Sequence, residues 1–178
     1  MEHRRSGPSI LRAWARDLSL SLFIAAIVIV FLYQPIQVEG TSMMPSLVDQ
    51  ERIFIDKFTY KLGAGRIQRG DLVVFWFPGE PGKSYIKRVI GLPGDTVRID
   101  RGVVYVNGER LVEEYVPPQY RDNVSMPQLR VKSDSYFVLG DHRSSSSDSR
   151  SWGPVHRGQI YGKAVFVYWP LDRIGPVR

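Results

Sequence analysis

The sequence of 178 residues contains no cysteine, only three histidines and no run of basic residues. The absence of cysteine excludes a disulfide framework, thiolate zinc sites and thiol catalysis. The histidines, His3, His142 and His156, show neither metal-ligand spacing nor an order that supports a Ser-His-Asp triad. We therefore expect no metal and no other cofactor. The net charge of +6 is modest and dispersed, which favours an anionic membrane surface over nucleic acid as a partner.

Charge is also missing from one long stretch, because Leu18–Val38 contains no charged residue. As an α-helix this run would be about 32 Å long, which matches the roughly 30 Å hydrocarbon core of a bilayer. Trp14 and Tyr33 flank it where interfacial aromatics are common, and Pro35 would end a helix. Arginines before the run predict a cytoplasmic N-terminus. The predicted organisation is a cytoplasmic tail (1–17), a single transmembrane anchor (18–38) and an extracytoplasmic domain (39–178).

Two other interpretations of the apolar run remain open at this stage. A cleavable signal peptide has the same order of basic head and apolar stretch, and Val38-Glu39-Gly40 is an acceptable small-residue cleavage site. A buried core helix is also apolar, although this run is apolar around its full circumference. A retained single span in the lipid bilayer is the interpretation we favour.

The pattern after Ser42 is that of β-strands, with no long helical periodicity. Ile53 and Ile55 alternate onto one face of a strand, and Asn107-Gly108 predicts a type I′ hairpin. Pro117–Lys132 is expected to be a long loop. The fold class is therefore mainly β, an antiparallel domain that follows one N-terminal helix. The predicted strands are Arg52–Tyr60, Asp71–Phe77, Tyr85–Ile90, Thr96–Asp100, Val103–Val106, Glu109–Val112, Tyr136–Leu139 and Ile160–Trp169.

Ser42, directly after the apolar run, is a candidate nucleophile only if a base removes its proton. Without a suitable histidine the base would be a neutral lysine, whose ordinary pKa of about 10.4 must fall by roughly 2 units. Strand periodicity places Lys87 on one face with Tyr85 and Val89, and Arg88 on the other. Burial of Lys87 would lower its pKa as required. Spacing alone allows the opposite arrangement equally well, with Arg88 buried and Lys87 solvated at the edge.

A third stretch, Gly140–Arg150, contains a run of four serines between charged residues. A serine run is typical of a flexible linker. Here it follows a predicted strand directly and is interspersed with acidic and basic residues, which favours a structured loop held by ion pairs. A hydroxyl of such a loop could orient the lysine amine.

Three segments of the chain, Gly40–Leu47, Tyr85–Asp95 and Gly140–Gly153, resemble those of type I signal peptidases. These are membrane-bound serine proteases that remove signal peptides from exported proteins. The order and spacing of the segments agree, as do the N-terminal run and Asp71–Phe75, so the resemblance extends to about Trp169. It implies a fold of coiled antiparallel β-sheets with an extended substrate groove. It also implies either the cell membrane or a thylakoid membrane as location.

Carried over position by position, the resemblance makes Ser42 the nucleophile and Lys87 the general base. Ser146 matches the serine that positions the lysine, and Asp148 with Arg150 matches an ion pair that supports the site. The residues that match the lining of the small substrate pockets are Val38, Met43, Leu47, Tyr85 and Ile86. The implied substrates are the signal peptides of preproteins, cut after small residues in an A-x-A-like pattern.

This sequence departs from the family pattern at some positions. Gly40 stands where Gram-negative members often have a serine whose hydroxyl assists the oxyanion hole, so stabilisation would rest mainly on the backbone N–H of Ser42. His142 replaces a usual asparagine, and Ser144-Ser145 replaces an Asp/Asn-Asn pair. Two alternatives stay open: a related Ser/Lys protease with another substrate, of maturation or self-cleaving type, and a non-catalytic, envelope-anchored binding domain.

Overall fold

The computed structural model describes residues 7–57, 66–77, 79–80 and 82–177. The described chain contains one long helix, twelve short strands, one short helix and several 3-10 turns. They are, in chain order, α1 (Gly7–Leu32), β1 (Tyr33–Gln37), β2 (Arg52–Asp56), β3 (Leu72–Trp76), β4 (Ser84–Gly91), β5 (Thr96–Asp100), β6 (Val103–Val106), β7 (Glu109–Arg110), β8 (Met126–Arg130), β9 (Ser135–Leu139), α2 (Ser149–Trp152), β10 (Val155–His156), β11 (Ile160–Trp169) and β12 (Gly175–Pro176).

The strands form two antiparallel sheets of unequal size. The larger has the order β1-β2-β11-β3-β4-β9-β10, with β12 paired to β11, and the smaller has the order β7-β6-β5-β8. β9 pairs with β4 only from Arg88 onward. Within the described residues, Ser84–Lys87 therefore has a strand partner on one side only, namely β3. This half of β4 leaves an open edge to which an extended peptide can add.

The continuous apolar run of β3 is explained by burial on both faces of the larger sheet. Leu72 and Val74 contribute to one hydrophobic cluster, which also contains Val38, Met43 and Leu47 of the Ser42 segment; we call it the site-side core. Val73 and Phe75 contribute to the opposite cluster, the far-side core. Because the two-residue period of a strand sends alternate side chains to opposite faces, a strand between two cores is apolar throughout.

The smaller sheet packs against the C-terminal half of β4 through a third cluster. Its apolar residues alternate along β5 and β6 and meet Ile90 and Phe137 of the larger sheet. The hairpin predicted at Asn107-Gly108 is confirmed, since both residues have positive φ, 54° and 86°, as a type I′ turn requires. The loop between β7 and β8 contacts the Gly140–Arg150 segment through the ion pairs Glu113–Arg143 and Asp122–Arg150.

The N-terminal prediction needs correction at its boundary. The helix runs from Gly7 to Leu32, so it begins within the predicted tail, and residues 33–37 of the predicted anchor form β1 instead. β1 pairs with β2 in register Pro35↔Phe54, and proline, which has no backbone N–H, is tolerated there at the sheet edge. Among the residues that the structure describes, no helix is both long and apolar enough to cross a membrane. Which side of a membrane the termini occupy remains a prediction.

The predicted β class is confirmed, with errors confined to short or irregular elements. Seven of the eight predicted strands match within about two residues at each end. β7 has only two residues, and residues 58–60 of the predicted Arg52–Tyr60 strand lie outside the described residues. The predicted long loop 117–132 is wrong in part, because β8 pairs with β5 there. β10 and β12, of two residues each, carry no periodicity that could have predicted them.

Candidate active site

Ser42 and Lys87, 45 residues apart in the chain, are in direct contact. Ser42 lies in the turn after β1, and the buried side chains of Met43 and Leu47 anchor that turn in the site-side core. Lys87 projects from the open half of β4. Its Nζ donates a hydrogen bond of 2.6 Å to Ser42 Oγ. The pairing that sequence periodicity could only offer as one of two arrangements is thus formed.

Lys87 is 3% exposed, and this burial governs its protonation. Desolvation of the ammonium form lowers the pKa of Lys87 from its ordinary value to about 8. The carboxylates of Asp148 and Asp141 act in the opposite direction, and the Arg150 guanidinium adds to the lowering. A substantial neutral fraction near pH 8 gives the amine a lone pair for the Ser42 proton.

Arg88 is as buried as its neighbour Lys87. Each of the two arrangements considered from the sequence buried only one of these residues. Its guanidinium donates to both oxygens of Asp141, at 2.8 and 2.6 Å, and to Ser46 Oγ at 3.0 Å. The Tyr115 ring lies 4.1 Å from its central carbon, within cation–π range. The Arg88–Asp141 pair thereby ties β4 to the loop that begins at Gly140.

The loop 140–150 is ordered by charged hydrogen bonds, as its composition predicted. Asp148 is fully buried and accepts from the backbone N–H of Gly140 at 3.1 Å and from Arg150 Nε at 2.8 Å. Arg150 also contacts Asp122 and donates to the carbonyl of Arg143 at 2.8 Å. The predicted Asp148–Arg150 pair is therefore present, and it closes the loop on itself.

The same loop holds the backbone of the turn that contains Ser42. His142 N–H donates to the Ser42 carbonyl at 3.1 Å. Gly140 approaches that carbonyl and Ser146 so closely that a Cβ at position 140 would collide with both. Only glycine fits at this point. Because of this close contact, the position of the loop determines the position of the Ser42 backbone.

Ser146 lies beside this contact but does not make the predicted hydrogen bond to Lys87. Its Oγ is buried and has no hydrogen-bond partner within the described part of the chain. The lysine-orienting role that the resemblance assigns to Ser146 stays a prediction.

Gly40 has a local reason to be glycine. Its φ is +89°, in the region that side chains with a Cβ rarely adopt, and its N–H donates to Asp49 Oδ1 at 2.7 Å. A serine at this position would be strained in this turn. The conformation of the turn thus favours glycine over serine at this position.

A cleft of about 440 Å³ passes over Ser42 and Lys87 along the open edge of β4. Four of the five predicted lining residues border it: Val38, Met43, Tyr85 and Ile86. Leu47 does not border it; this side chain is fully buried in the site-side core beneath the turn. Leu47 therefore anchors the turn that contains Ser42.

Sequence reasoning missed several residues at the cleft and its supports. Tyr161, Ser84 and Ser147 border the cleft, and Glu113 and Asp122 bind the two arginines of the Gly140–Arg150 loop. Tyr161 belongs to a strand that was predicted, yet no local pattern shows which cleft a strand will border. Glu113 and Asp122 are isolated carboxylates in a loop region, where only the tertiary fold reveals their partners.

Comparison with known proteins bears on this arrangement. The family model described as "Signal peptidase, peptidase S26" matches residues 11–169. Signal peptidase I P of Bacillus subtilis subsp. natto is 39% identical over 171 residues, covering 90% of each chain. Signal peptidase I of Leptolyngbya laminosa is 38% identical over 170 residues, covering 90% of this chain and 80% of its own. The crystal structure of a signal peptidase I from Enterococcus faecalis V583 covers 56% of this chain and 97% of its own, with 33% identity and a TM-score of 0.49.

By its fold and its cleft, the protein is a β-domain peptidase whose cleft follows an open strand edge. The chain belongs to the signal peptidase family, peptidase S26. It is accordingly an endopeptidase, a hydrolase of peptide bonds, and the family inferred from the three segments is confirmed.

Proposed function

We propose that this protein cleaves signal peptides from exported preproteins with Ser42 as nucleophile and neutral Lys87 as general base. The observation that carries the proposal is the 2.6 Å hydrogen bond between a buried lysine and the serine hydroxyl. An amine with a pKa of about 8 can accept the serine proton near neutral pH, whereas an ordinary lysine cannot.

The chemistry proceeds in two halves. Lys87 takes the Ser42 proton as Oγ attacks the scissile carbonyl, and the resulting ammonium gives that proton to the departing amine. Lys87 then takes a proton from water as that water attacks the acyl ester, and the resulting ammonium returns the proton to Ser42 Oγ as the carboxylic acid product leaves. The backbone N–H of Ser42 is the proposed donor to the oxyanion. We assign to Ser146 the hydrogen bond that orients the lysine amine once a peptide is bound, and to Asp148 and Arg150 the support of that loop.

The substrate is proposed to bind as an extended strand along Ser84–Lys87, with main-chain hydrogen bonds to the open edge. Val38, Met43 and Ile86 leave little volume for the side chains at the first and third positions before the cut. Such small pockets reject larger side chains by steric exclusion, which fits an A-x-A-like preference.

The direct experiment is cleavage of a purified preprotein by single variants. Ser42→Ala and Lys87→Ala should each abolish formation of the shortened product. Ser151→Ala and Lys132→Ala are matched controls, since both side chains are exposed on the same domain, and they should keep wild-type activity. Product formed by either dyad variant would refute the assigned mechanism.

We also propose that α1 attaches the protein to a membrane as a single-pass anchor with a cytoplasmic N-terminus. Large apolar side chains such as Leu20, Leu22 and Phe23 are more than half exposed and belong to none of the hydrophobic clusters of the described residues. Sedimentation with membranes after a carbonate wash tests attachment. Phe23→Lys should release part of the protein, whereas Val112→Lys, at an exposed apolar position of the catalytic domain, should not. Protease protection of each terminus tests the orientation.

A further inference from the structure

The cleft continues past the residues that surround Ser42 and Lys87, toward the beginning of β4. There Tyr161 borders it, and the Tyr161 hydroxyl donates a hydrogen bond of 2.9 Å to Ser84 Oγ. The Tyr161 ring stacks on Trp76, with centroids 4.8 Å apart and planes inclined by 29°. Trp76 is 50% exposed, which is unusual for an indole at the end of a buried strand. We call Tyr161 and Trp76 the aromatic shelf.

The aromatic shelf lies on the same face of the sheet as the small-residue pocket. Trp76 is the cross-strand partner of Ser84, and Val74 is the partner of Ile86. Ser84 and Ile86 are two residues apart, so their side chains point to one face, and those of Tyr85 and Lys87 point to the other. Tyr161 packs against the site-side core together with Ile86.

A peptide strand that adds to the open edge must follow the same two-residue period. Its first, third and fifth side chains before the cut would share one face, spaced by about 6.6 Å. If the third meets Ile86, the next on that face meets Ser84 and the aromatic shelf. The shelf is therefore placed to contact the fifth residue before the cut.

The chemistry of the shelf selects among side chains. Two stacked rings offer a large apolar surface, and aromatic pairs stabilise a further ring beyond simple area burial. Lys57 Nζ lies 5.4 Å from the Tyr161 centroid and brings a positive charge to this end of the cleft. That charge repels a basic side chain.

We propose that Trp76 and Tyr161 form a specificity subsite for a large apolar or aromatic side chain at the fifth position before the cut, and that this subsite disfavours lysine and arginine. The inference rests on the proposed peptidase function of the cleft. It adds a requirement that the small pockets do not impose, because they test only the first and third residues.

The test uses four peptides that share an A-x-A cleavage site and differ only at the fifth position, which is Phe, Ser, Lys or Glu. The full-length wild-type protein in detergent should cleave the Phe peptide with a kcat/KM about tenfold above that of the Ser peptide, mainly through a lower KM. The Lys peptide should be the poorest substrate. Trp76→Ala should reduce the Phe-over-Ser ratio to within about twofold, mainly by raising the KM for the Phe peptide. Trp169→Ala is the matched control, because Trp169 is similarly exposed, at 49%, but borders a separate cavity with Val48 and Arg173, whereas Trp76 stacks on the cleft residue Tyr161.

Equal cleavage of the Phe and Ser peptides by wild type would overturn the subsite, as would a preference that survives in Trp76→Ala. An acidic side chain preferred over Phe at this position would assign selectivity to Lys57 and would also overturn it. Failure to cleave any of the peptides or a preprotein would count against the proposed function. Binding of the same peptides to Ser42→Ala, followed by fluorescence anisotropy, would then decide the subsite separately, since it requires no turnover.

Discussion

The adjacent cations Lys87 and Arg88 lie on opposite faces of β4 and have different partners. Lys87 and Arg88 are each 3% exposed, yet Arg88 faces both oxygens of a buried carboxylate, whereas Lys87 faces a serine hydroxyl. Asp148 and Asp141 raise the pKa of Lys87 only by their charge, since within the described chain neither forms an ion pair with it, and Asp148 is paired with Arg150. Equal burial therefore yields a paired charge on one face and an amine with a lowered pKa on the other. The immediate partner, rather than burial alone, decides whether a buried cation supports the fold or supplies a base.

The largest expected effect comes from replacing each cation with methionine, which has a similar length and no charge. Arg88→Met leaves Asp141, which is 0% exposed, buried without its cation, and should lower the free energy of unfolding by about 3–5 kcal/mol. Lys87→Met leaves only a hydroxyl behind and should change it by less than about 1.5 kcal/mol, while abolishing cleavage. Urea denaturation of both variants, followed by tryptophan fluorescence, measures the difference.

A second substitution checks the cause of the Arg88 effect. Asp141→Asn removes the stranded charge, so the double variant Arg88→Met/Asp141→Asn should recover part of the stability that Arg88→Met loses. Equal destabilisation by the two methionine variants, or no recovery in the double variant, would contradict the conclusion that only Arg88 neutralises a buried carboxylate.

The next largest effect is the dependence of cleavage on pH. If neutral Lys87 is the base, as proposed, kcat/KM should rise about tenfold per pH unit below its pKa and level off above about 8. Lys83→Gln is the matched control: Lys83 approaches the same Tyr85 ring as Lys87 but is exposed, so its removal should leave the midpoint in place. A midpoint near 10 would show that Lys87 is not desolvated in the working enzyme.

The same pKa has a consequence for stability. The folded-state pKa of Lys87, about 8, lies below the roughly 10.4 of an unfolded lysine, so the unfolded state binds more protons between these values. Unfolding free energy should therefore gain a contribution that rises from about pH 8 to pH 10 in wild type. This slope should be missing from Lys87→Met.

An intermediate effect is expected at Asp122, which lies in the loop between β7 and β8 and binds Arg150 of the Gly140–Arg150 loop. Asp122 and Asp148 both bind Arg150, and the side chains of Asp122 and Arg150 are only 12% and 9% exposed. Asp122→Asn weakens one of these charged hydrogen bonds and should cost about 1–2 kcal/mol of stability. Because Arg150 holds the Ser146 loop, kcat should fall while KM changes little. Asp172→Asn, at an exposed carboxylate, should alter neither.

The residues also show how far sequence could predict this molecule. Strong period-two patterns and the Asn107-Gly108 turn predicted most strands, because local sequence sets both. The need for a base and the alternation of β4 left two arrangements open, and the resemblance to a known family then predicted the pair Ser42–Lys87. Leu47 was assigned to a pocket, yet it is buried beneath the turn, since neighbouring positions on a turn do not reveal which side faces solvent.

Other features depend on contacts between distant segments and so leave no local pattern. The burial of Arg88 requires Asp141, more than fifty residues away, and the roles of Glu113 and Asp122 require arginines of a separate loop. The end of α1 at Leu32 depends on β2, which pairs with residues 33–37 and holds them as a strand. An apolar run by itself is compatible with either structure.

The smallest expected effect on stability is that of Ser146→Ala. This variant tests the difference between the surroundings of Lys87 and Arg88. Around Arg88 the hydroxyl of Ser46 accepts a hydrogen bond, whereas near Lys87 the buried Ser146 Oγ has none within the described residues. Removing an unpaired buried hydroxyl leaves no partner unsatisfied, so Ser146→Ala should leave the unfolding free energy unchanged or slightly higher, within about 1 kcal/mol. Ser46→Ala, which takes an acceptor from Arg88, should lower it. If Ser146 orients Lys87 in the peptide complex, Ser146→Ala should nevertheless reduce kcat, because the amine loses a partner only when substrate is bound. Loss of stability without loss of kcat would instead assign Ser146 to packing of the loop.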